Sequence, residues 1–143
     1  MNISFNFSSK IDLQNRRDLK LFISSIFKLE KKQAASLSFV FCSDDFLLDI
    51  NKTYLKHNYY TDIITFNLSA PNSKIIEGEI YISVDTIRDN AKRFQATIKL
   101  ELHRVMFHGV LHLCGYGDKS AIEKLKMTSK EIFYLGLYFK GST

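Results

Sequence analysis

The residues best suited to chemistry lie in the stretch VMFHGVLHLCGYGD, residues 105–118. His108 and His112 are four residues apart, a spacing that places both imidazoles on one face of a helix, one turn apart. Most of their neighbours are apolar, so we expect the helix to be buried and both imidazoles to need partners. A divalent metal satisfies two imidazoles at once, and a catalytic zinc ion usually has three protein ligands.

The third ligand is predicted at Asp118. The sequence GYG, residues 115–117, can end the helix and fold the chain back, and Asp118 is the first candidate ligand after it. Cys114 competes, because a thiolate binds zinc, but it lies two residues beyond His112 and on a continuing helix points roughly 200° away. We therefore expect Cys114 to be a small buried side chain. The alternative for the two histidines is a pair in the core, hydrogen-bonded to carboxylates or carbonyls.

The glutamate of a standard zinc protease is missing. In the H-E-x-x-H pattern a glutamate follows the first histidine and acts as general base, and here that position is Gly109. We identify no side chain as general base, so a hydrolase with this site would depend mainly on a metal-bound water. A non-standard metallopeptidase, with Glu101 or Asp62 as the base, remains an alternative.

The pattern of apolar residues predicts the elements that position these side chains. Alternation predicts strands near residues 3–7 and 36–41, a high content of β-branched and aromatic residues predicts one over residues 61–68, and a further strand is expected over residues 78–83. Helical spacing and capping residues predict helices over residues 16–31, 44–55, 84–94, 98–114 and 119–139. The order β-α-β-α-β-β-α-α-α predicts one α+β domain over residues 1–143, with a small mixed sheet of about four strands and about five helices packed on it.

Composition excludes several classes of protein. The chain has 143 residues, of which 45% are hydrophobic and 24% charged, so it is not mostly disordered. Its two cysteines form no C-x-x-C pair, and a disulfide framework is not expected. The first residues lack the pattern of a signal peptide, and no apolar run approaches the ~18 residues that indicate a membrane span. We therefore expect a cytoplasmic protein with no membrane partner.

The charge of the chain is unevenly distributed. Residues 1–85 carry ten basic and ten acidic side chains, whereas residues 86–143 carry ten basic and five acidic ones, which accounts for the net charge of +5. A local basic excess suits a polyanionic partner such as RNA, and a solvated basic surface is the alternative. The candidates for contacts with an RNA backbone are Arg88, Lys92, Arg93 and Arg104.

Three segments resemble a known family. HGVLHLCGYGD, residues 108–118, resembles the H-G-x-L-H-L-x-G-Y-D-H signature of the YbeY family, which are bacterial metal-dependent endoribonucleases linked to ribosomal RNA maturation and ribosome quality control. INKTYLKHNYYTDIITF, residues 50–66, is similar to the family's L-N-x-x-Y-R-x-K-D-x-P-T-D-V-L-S-F segment, and GEIYIS, residues 78–83, is similar to its G-D-I-x-I-S strand. The resemblance covers nearly the whole chain. It implies a single-strand-specific endoribonuclease that acts on the 3′ end of 16S rRNA, with one zinc ion per chain and the ribosome as partner.

The resemblance also implies the metal ligands. The first two histidines of the signature fall on His108 and His112, and its third ligand, usually a histidine, falls on Asp118. This departure is chemically tolerable, because an aspartate oxygen also binds zinc. An RNA-binding module of the ribosome with a purely structural metal is an alternative, in which a fourth ligand, His57 or His103, would close the site.

A second departure from the family concerns phosphate binding. The family's arginine, thought to contribute to the active site, falls on Leu55, which cannot bind phosphate. Lys56 or His57 is a candidate replacement for contacts with RNA. Asp62 belongs to a matching T-D pair, and either caps a strand or takes part in the site.

Overall fold

The computed structural model describes residues 1–141, and its elements follow the predicted order. They are β1 (Asn2–Phe7), α1 (Arg16–Leu29), β2 (Gln33–Cys42), α2 (Asp44–Leu55), β3 (Ile63–Asn67), β4 (Ile75–Ser83), α3 (Val84–Arg93), α4 (Ile98–Leu113) and α5 (Ala121–Gly141). The predicted α+β class is confirmed. Within these residues, no helix has both the length and the apolar character that crossing a bilayer requires.

The sheet is mixed, with the strand order β1-β2-β4-β3. β1, β2 and β4 run parallel, and β3 lies antiparallel to β4 at the edge of the sheet. β2 and β4 begin earlier than predicted, because Gln33 pairs with Ile75 at their first residues. β3 is shorter than predicted and begins at Ile63, so Thr61 and Asp62 precede it.

The main core lies on one face of the sheet. Alternate residues of β2, such as Phe39 and Phe41, pack there against buried residues of α1 and α4, including Ile23 and Phe107. α2 covers part of the opposite face through a smaller apolar cluster around Leu47. α4 is thus fixed between the sheet and α5.

Local sequence explains where α4 begins, how closely it packs and where it ends. The Thr97 hydroxyl accepts a hydrogen bond from the Leu100 N–H and so caps the N-terminus of α4. A Cβ atom on Gly109 would lie 2.9 Å from two carbons of Ile80, so glycine permits the close approach of α4 to β4. Gly115, with a φ of 105°, ends the helix in the left-handed region that favours glycine. The chain then turns back toward the face of α4 that carries the histidines.

Candidate metal centre

α4 presents His108 and His112 to a cleft of about 700 Å³. Further walls of this cleft come from the edge strand β3 and from the segment that joins α2 to β3. The turn after α4 adds Asp118 and Lys119. Leu55, at the end of α2, also lines the cleft.

The structure brings the three predicted ligands together. The Nε2 atoms of His108 and His112 lie 3.3 and 3.2 Å from the same Oδ2 atom of Asp118. The two imidazole centroids are 4.5 Å apart, and one ligand atom from each of the three residues lies within 4.8 Å of the others. The chain therefore folds back after α4 as predicted, and this turn brings Asp118 next to the two histidines.

Hydrogen bonds at the far side of each ring fix which nitrogen faces the cleft. His112 Nδ1 lies 2.8 Å from the carbonyl oxygen of Tyr116, which can only accept, so Nδ1 carries the proton. His108 Nδ1 lies 2.6 Å from Oε2 of Glu131 and donates to that carboxylate. Both Nε2 atoms are thus left without a proton, and both lie within 3.3 Å of the Asp118 oxygen. Three acceptors grouped in this way can bind a cation, and two imidazoles with one carboxylate fit the donors that zinc prefers.

A buried network of charges holds His108 in this orientation. The Glu131 side chain, on α5, is 7% exposed and lies 3.1 Å from Nη1 of Arg104. Arg104 makes two further hydrogen bonds, of 2.8 and 2.7 Å, to the buried carboxylate of Glu101. Arg104 lines the cleft, but its guanidinium is shared between two carboxylates, and its predicted contact with RNA stays a prediction.

A second network, which we call the Glu30 junction, anchors the turn that orients His112. Glu30, at the end of α1, accepts hydrogen bonds from the hydroxyls of Tyr116, at 2.7 Å, and Tyr134, and Lys130 Nζ lies 3.2 Å from it. Burial raises the pKa of Glu30, but the hydrogen bonds from these three side chains outweigh burial and leave the pKa below the ordinary 4.5. The backbone carbonyl that fixes His112 is therefore tied to both α1 and α5.

Asp62 brings one more carboxyl group into the cleft, just before β3. Burial raises its pKa above the ordinary 3.8, although His108, whenever its imidazole is protonated, and the Arg104 guanidinium act in the opposite direction. Its carboxyl group is thereby better suited to hold a proton than an exposed aspartate.

The competing ligands lie elsewhere or are engaged. Cys114 is buried in the main core, as predicted, and burial raises the pKa of its thiol to about 12. His103 is buried as well, with Nδ1 2.7 Å from the Lys99 carbonyl and its ring stacked on Tyr138. His57 lines the cleft, but its Nδ1 lies 3.0 Å from the Tyr59 hydroxyl. Among residues 1–141, neither His57 nor His103 joins the group of three ligands.

The predicted RNA contacts divide into two sets. His57 and Arg104 line the cleft, whereas Lys56, Arg88, Lys92 and Arg93 do not. Arg88 instead donates to the Lys10 carbonyl at 2.8 Å, and the Arg93 guanidinium lies over the ring of Phe94.

Sequence reasoning missed Glu131 and Lys119. Glu131 interrupts the buried stripe of α5, which includes Met127, Tyr134 and Tyr138, and a carboxylate at such a position signals a buried partner. Lys119 directly follows the third ligand and lines the cleft. Its place next to Asp118 in the sequence is the signal that could have identified it.

Comparisons with known proteins point to one family. A family model described as Endoribonuclease YbeY matches residues 3–138. The protein named Endoribonuclease YbeY from Cytophaga hutchinsonii is 45% identical over 133 residues, which cover 93% of this chain and 92% of the relative. The protein of the same name from Flavobacterium psychrophilum is 41% identical over 136 residues, 95% of this chain and 96% of the relative. A solution structure from Thermotoga maritima, 24% identical, covers 99% of this chain and 91% of its own with a TM-score of 0.67, which shows a shared fold.

Proposed function

The chain belongs to the Endoribonuclease YbeY family, and from this membership and the geometry of the cleft we propose that it is a metal-dependent endoribonuclease acting on single-stranded RNA. Its proposed substrate is ribosomal RNA, in particular the 3′ end of 16S rRNA, which places the activity in the cytoplasm and on the ribosome. A role in ribosome quality control, which the resemblance to the family implies, is part of the same proposal. The observation that carries the proposal is the convergence of two imidazole nitrogens on one carboxylate oxygen inside an open cleft.

The proposed metal is one zinc ion per chain, held by His108, His112 and Asp118. Zinc in such a site supplies a Lewis acid for a phosphoryl oxygen and lowers the pKa of a bound water. Lys119 attracts the RNA backbone into the cleft, where it offers a cationic group that Leu55 does not. Asp62 holds and transfers a proton at its carboxylate, which suits its raised pKa.

The geometry gives less support to the two alternatives. A structural zinc ion is closed by four protein ligands, and within residues 1–141 the group of possible ligands has three members. A metallopeptidase using Glu101 as base is disfavoured, because that carboxylate is buried and bonded to Arg104. A metallopeptidase using Asp62 would need the same carboxyl group as the proposed reaction, so Asp62 does not favour it, whereas the family match supports the endoribonuclease.

Zinc content tests the proposed centre. We expect near-stoichiometric zinc in protein purified without added metal, and loss of zinc in the Asp118→Ala and His112→Ala variants. His57→Ala is the matched control, because His57 lies in the same cleft outside the group of three ligands and its variant should keep the metal. If the parent protein cannot be loaded with zinc, the two histidines are a feature of the core and the chain is better described as a binding module.

RNA cleavage tests the reaction and the role of Asp62. The zinc-loaded protein should cut a single-stranded oligoribonucleotide and spare the same sequence in a duplex. Asp62→Asn should lower kcat by about 10²–10⁴-fold, the usual contribution of a positioned proton-transfer group, while zinc content stays unchanged. An unchanged kcat would show that Asp62 only supports the start of β3.

A further inference from the structure

Three exposed tyrosines lie at or near the segment between α2 and β3, and one of them lines the cleft. Tyr54, Tyr59 and Tyr60 are 70%, 56% and 60% exposed. The Tyr54 ring packs edge-on against Phe66, and the Tyr60 hydroxyl donates to Asp45. Tyr59 is the member of this set that lines the cleft of the candidate metal centre.

Tyr59 forms a fixed ring pair with His57. The two rings are stacked, with centroids 5.1 Å apart and planes 19° apart, and the Tyr59 hydroxyl lies 3.0 Å from His57 Nδ1. Asn51, only 1% exposed, holds both residues through the backbone. Its side-chain nitrogen donates to the backbone carbonyl of Tyr59 at 2.9 Å, and its backbone carbonyl accepts from the backbone N–H of His57 at 3.1 Å. The ring pair is therefore anchored to a buried residue although the rings themselves are exposed.

The surroundings of the ring pair indicate what it would bind. The ring pair lines the same cleft as the proposed metal ligands and Lys119, which we expect to bind the phosphate. Leu55 adds an apolar side chain to that cleft. One polar atom of each ring is already engaged by the other ring, so the pair offers mainly a flat π surface. Nucleobases stack on such surfaces with little dependence on their identity, because every base has a π face.

We propose that the Tyr59–His57 ring pair is a stacking platform for one unpaired nucleobase of the RNA whose phosphate lies at the metal centre. This inference rests on the proposed function and adds to it a binding site for the base. A base held in a helix is stacked between its neighbours and cannot lie on the platform. The platform therefore gives a physical reason for a preference for single-stranded RNA, and it replaces contacts that Leu55 cannot make.

The test is single-turnover cleavage of a single-stranded oligoribonucleotide at graded concentrations of zinc-loaded protein. It yields the half-saturating protein concentration and the maximal rate separately. Stacking of one base on an aromatic side chain corresponds to about a 5- to 150-fold change in affinity. Tyr59→Ala should raise the half-saturating concentration within this range and change the maximal rate little. Tyr59→Phe, which keeps the ring, should stay within about twofold of the parent.

Tyr54→Ala and Tyr60→Ala are matched controls, since each removes an exposed tyrosine outside the cleft and should leave affinity unchanged. A set of oligonucleotides with one abasic nucleotide at each position supplies a readout that a merely structural role of Tyr59 would not give. At one position the loss of the base should weaken binding by the parent, and Tyr59→Ala should then cost nothing further. The proposal is overturned if Tyr59→Ala binds RNA like the parent, or if its defect is equally large on every abasic oligonucleotide.

Failure of this inference can be told apart from failure of the proposed function. If the parent cleaves RNA and Tyr59→Ala is unaffected, the endoribonuclease stands and the platform is wrong. If the parent cleaves no RNA, equilibrium binding of the same oligonucleotides, measured by fluorescence anisotropy, tests the platform alone.

Discussion

Replacing Glu131 with alanine removes a residue that orients one of the proposed metal ligands and leaves the three proposed ligands themselves in place. Glu131 lies on α5, and its carboxylate contacts His108 Nδ1 at 2.6 Å and Arg104 at 3.1 Å. Partners of this kind fix the orientation and basicity of a ligating imidazole, and their loss costs about 10–100-fold in metal affinity. The imidazole donates here to a charged group that is 7% exposed, and charge-assisted bonds are about twice as strong as neutral ones.

We therefore expect Glu131→Ala to weaken zinc binding by about 100-fold, equivalent to about 2.7 kcal/mol. Glu131→Gln keeps an oxygen that can accept from His108 and loses only the charge, so about tenfold is expected. The folded state should survive both changes, because Arg104 keeps its two bonds to Glu101. The unpaired imidazole N–H in the alanine variant should cost about 1–3 kcal/mol of stability without metal.

The assay is competition for zinc between metal-free protein and a chromogenic chelator, with circular dichroism to verify the fold. Glu77→Ala is the control, since it removes an exposed carboxylate from β4 outside the cleft and should not change zinc affinity. If Glu131→Ala is folded and binds zinc within twofold of the parent, the carboxylate does not orient His108, and our account of the metal centre is wrong at that point.

Three further outcomes are expected. Lys119→Ala should weaken the binding of RNA of any sequence. It should also reduce the slope of the logarithm of the binding constant against the logarithm of the salt concentration by about 0.7, the value for one phosphate contact on a single strand. An unchanged slope would show that Lys119 does not contact the RNA. Because the pKa of Glu30 lies below 4.5, its stabilisation is present above pH 4.5 and is lost as the pH falls through the folded-state pKa. Glu30→Gln should thus be less stable than the parent by about 1–3 kcal/mol at pH 7 in urea unfolding, and the gap should narrow in acid; a gap independent of pH would contradict this. Burial raises the pKa of the Cys42 thiol to about 11 and that of the Cys114 thiol to about 12. Neither thiol should therefore react with a disulfide reagent at pH 8 until denaturant is added. Fast reaction of the native protein would show that the core opens.

Local patterns in the sequence were sufficient for the elements and for the grouping of His108, His112 and Asp118. The spacing of His108 and His112 and the glycine turn before Asp118 predict the grouping that the structure contains, because all three depend on one helix and the turn after it. The Thr97 cap likewise depends on residues within one turn. These are features that neighbouring residues determine by themselves.

Contacts between distant parts of the chain could not be predicted in this way. Glu131 reaches His108 from another helix, and Glu30 reaches Tyr116 across 86 positions of sequence. The edge position of β3 depends on how strands from different parts of the chain pair, which the alternation within one strand does not reveal. The partners that tune the candidate site therefore belong to the tertiary structure.

The place of α5 in the chain has a consequence for when the centre becomes complete. α5 supplies Glu131 to one ligand and, through the Glu30 junction, anchors the turn that orients the other, yet it follows every other described element. Chains leave the ribosome N-terminus first, at about 5–20 residues per second. During the second or more between the synthesis of His112 and that of Glu131, both histidines have been made while their supports have not. An enzyme proposed to cut ribosomal RNA is thus assembled on its own substrate with the proposed metal centre unfinished until α5 docks.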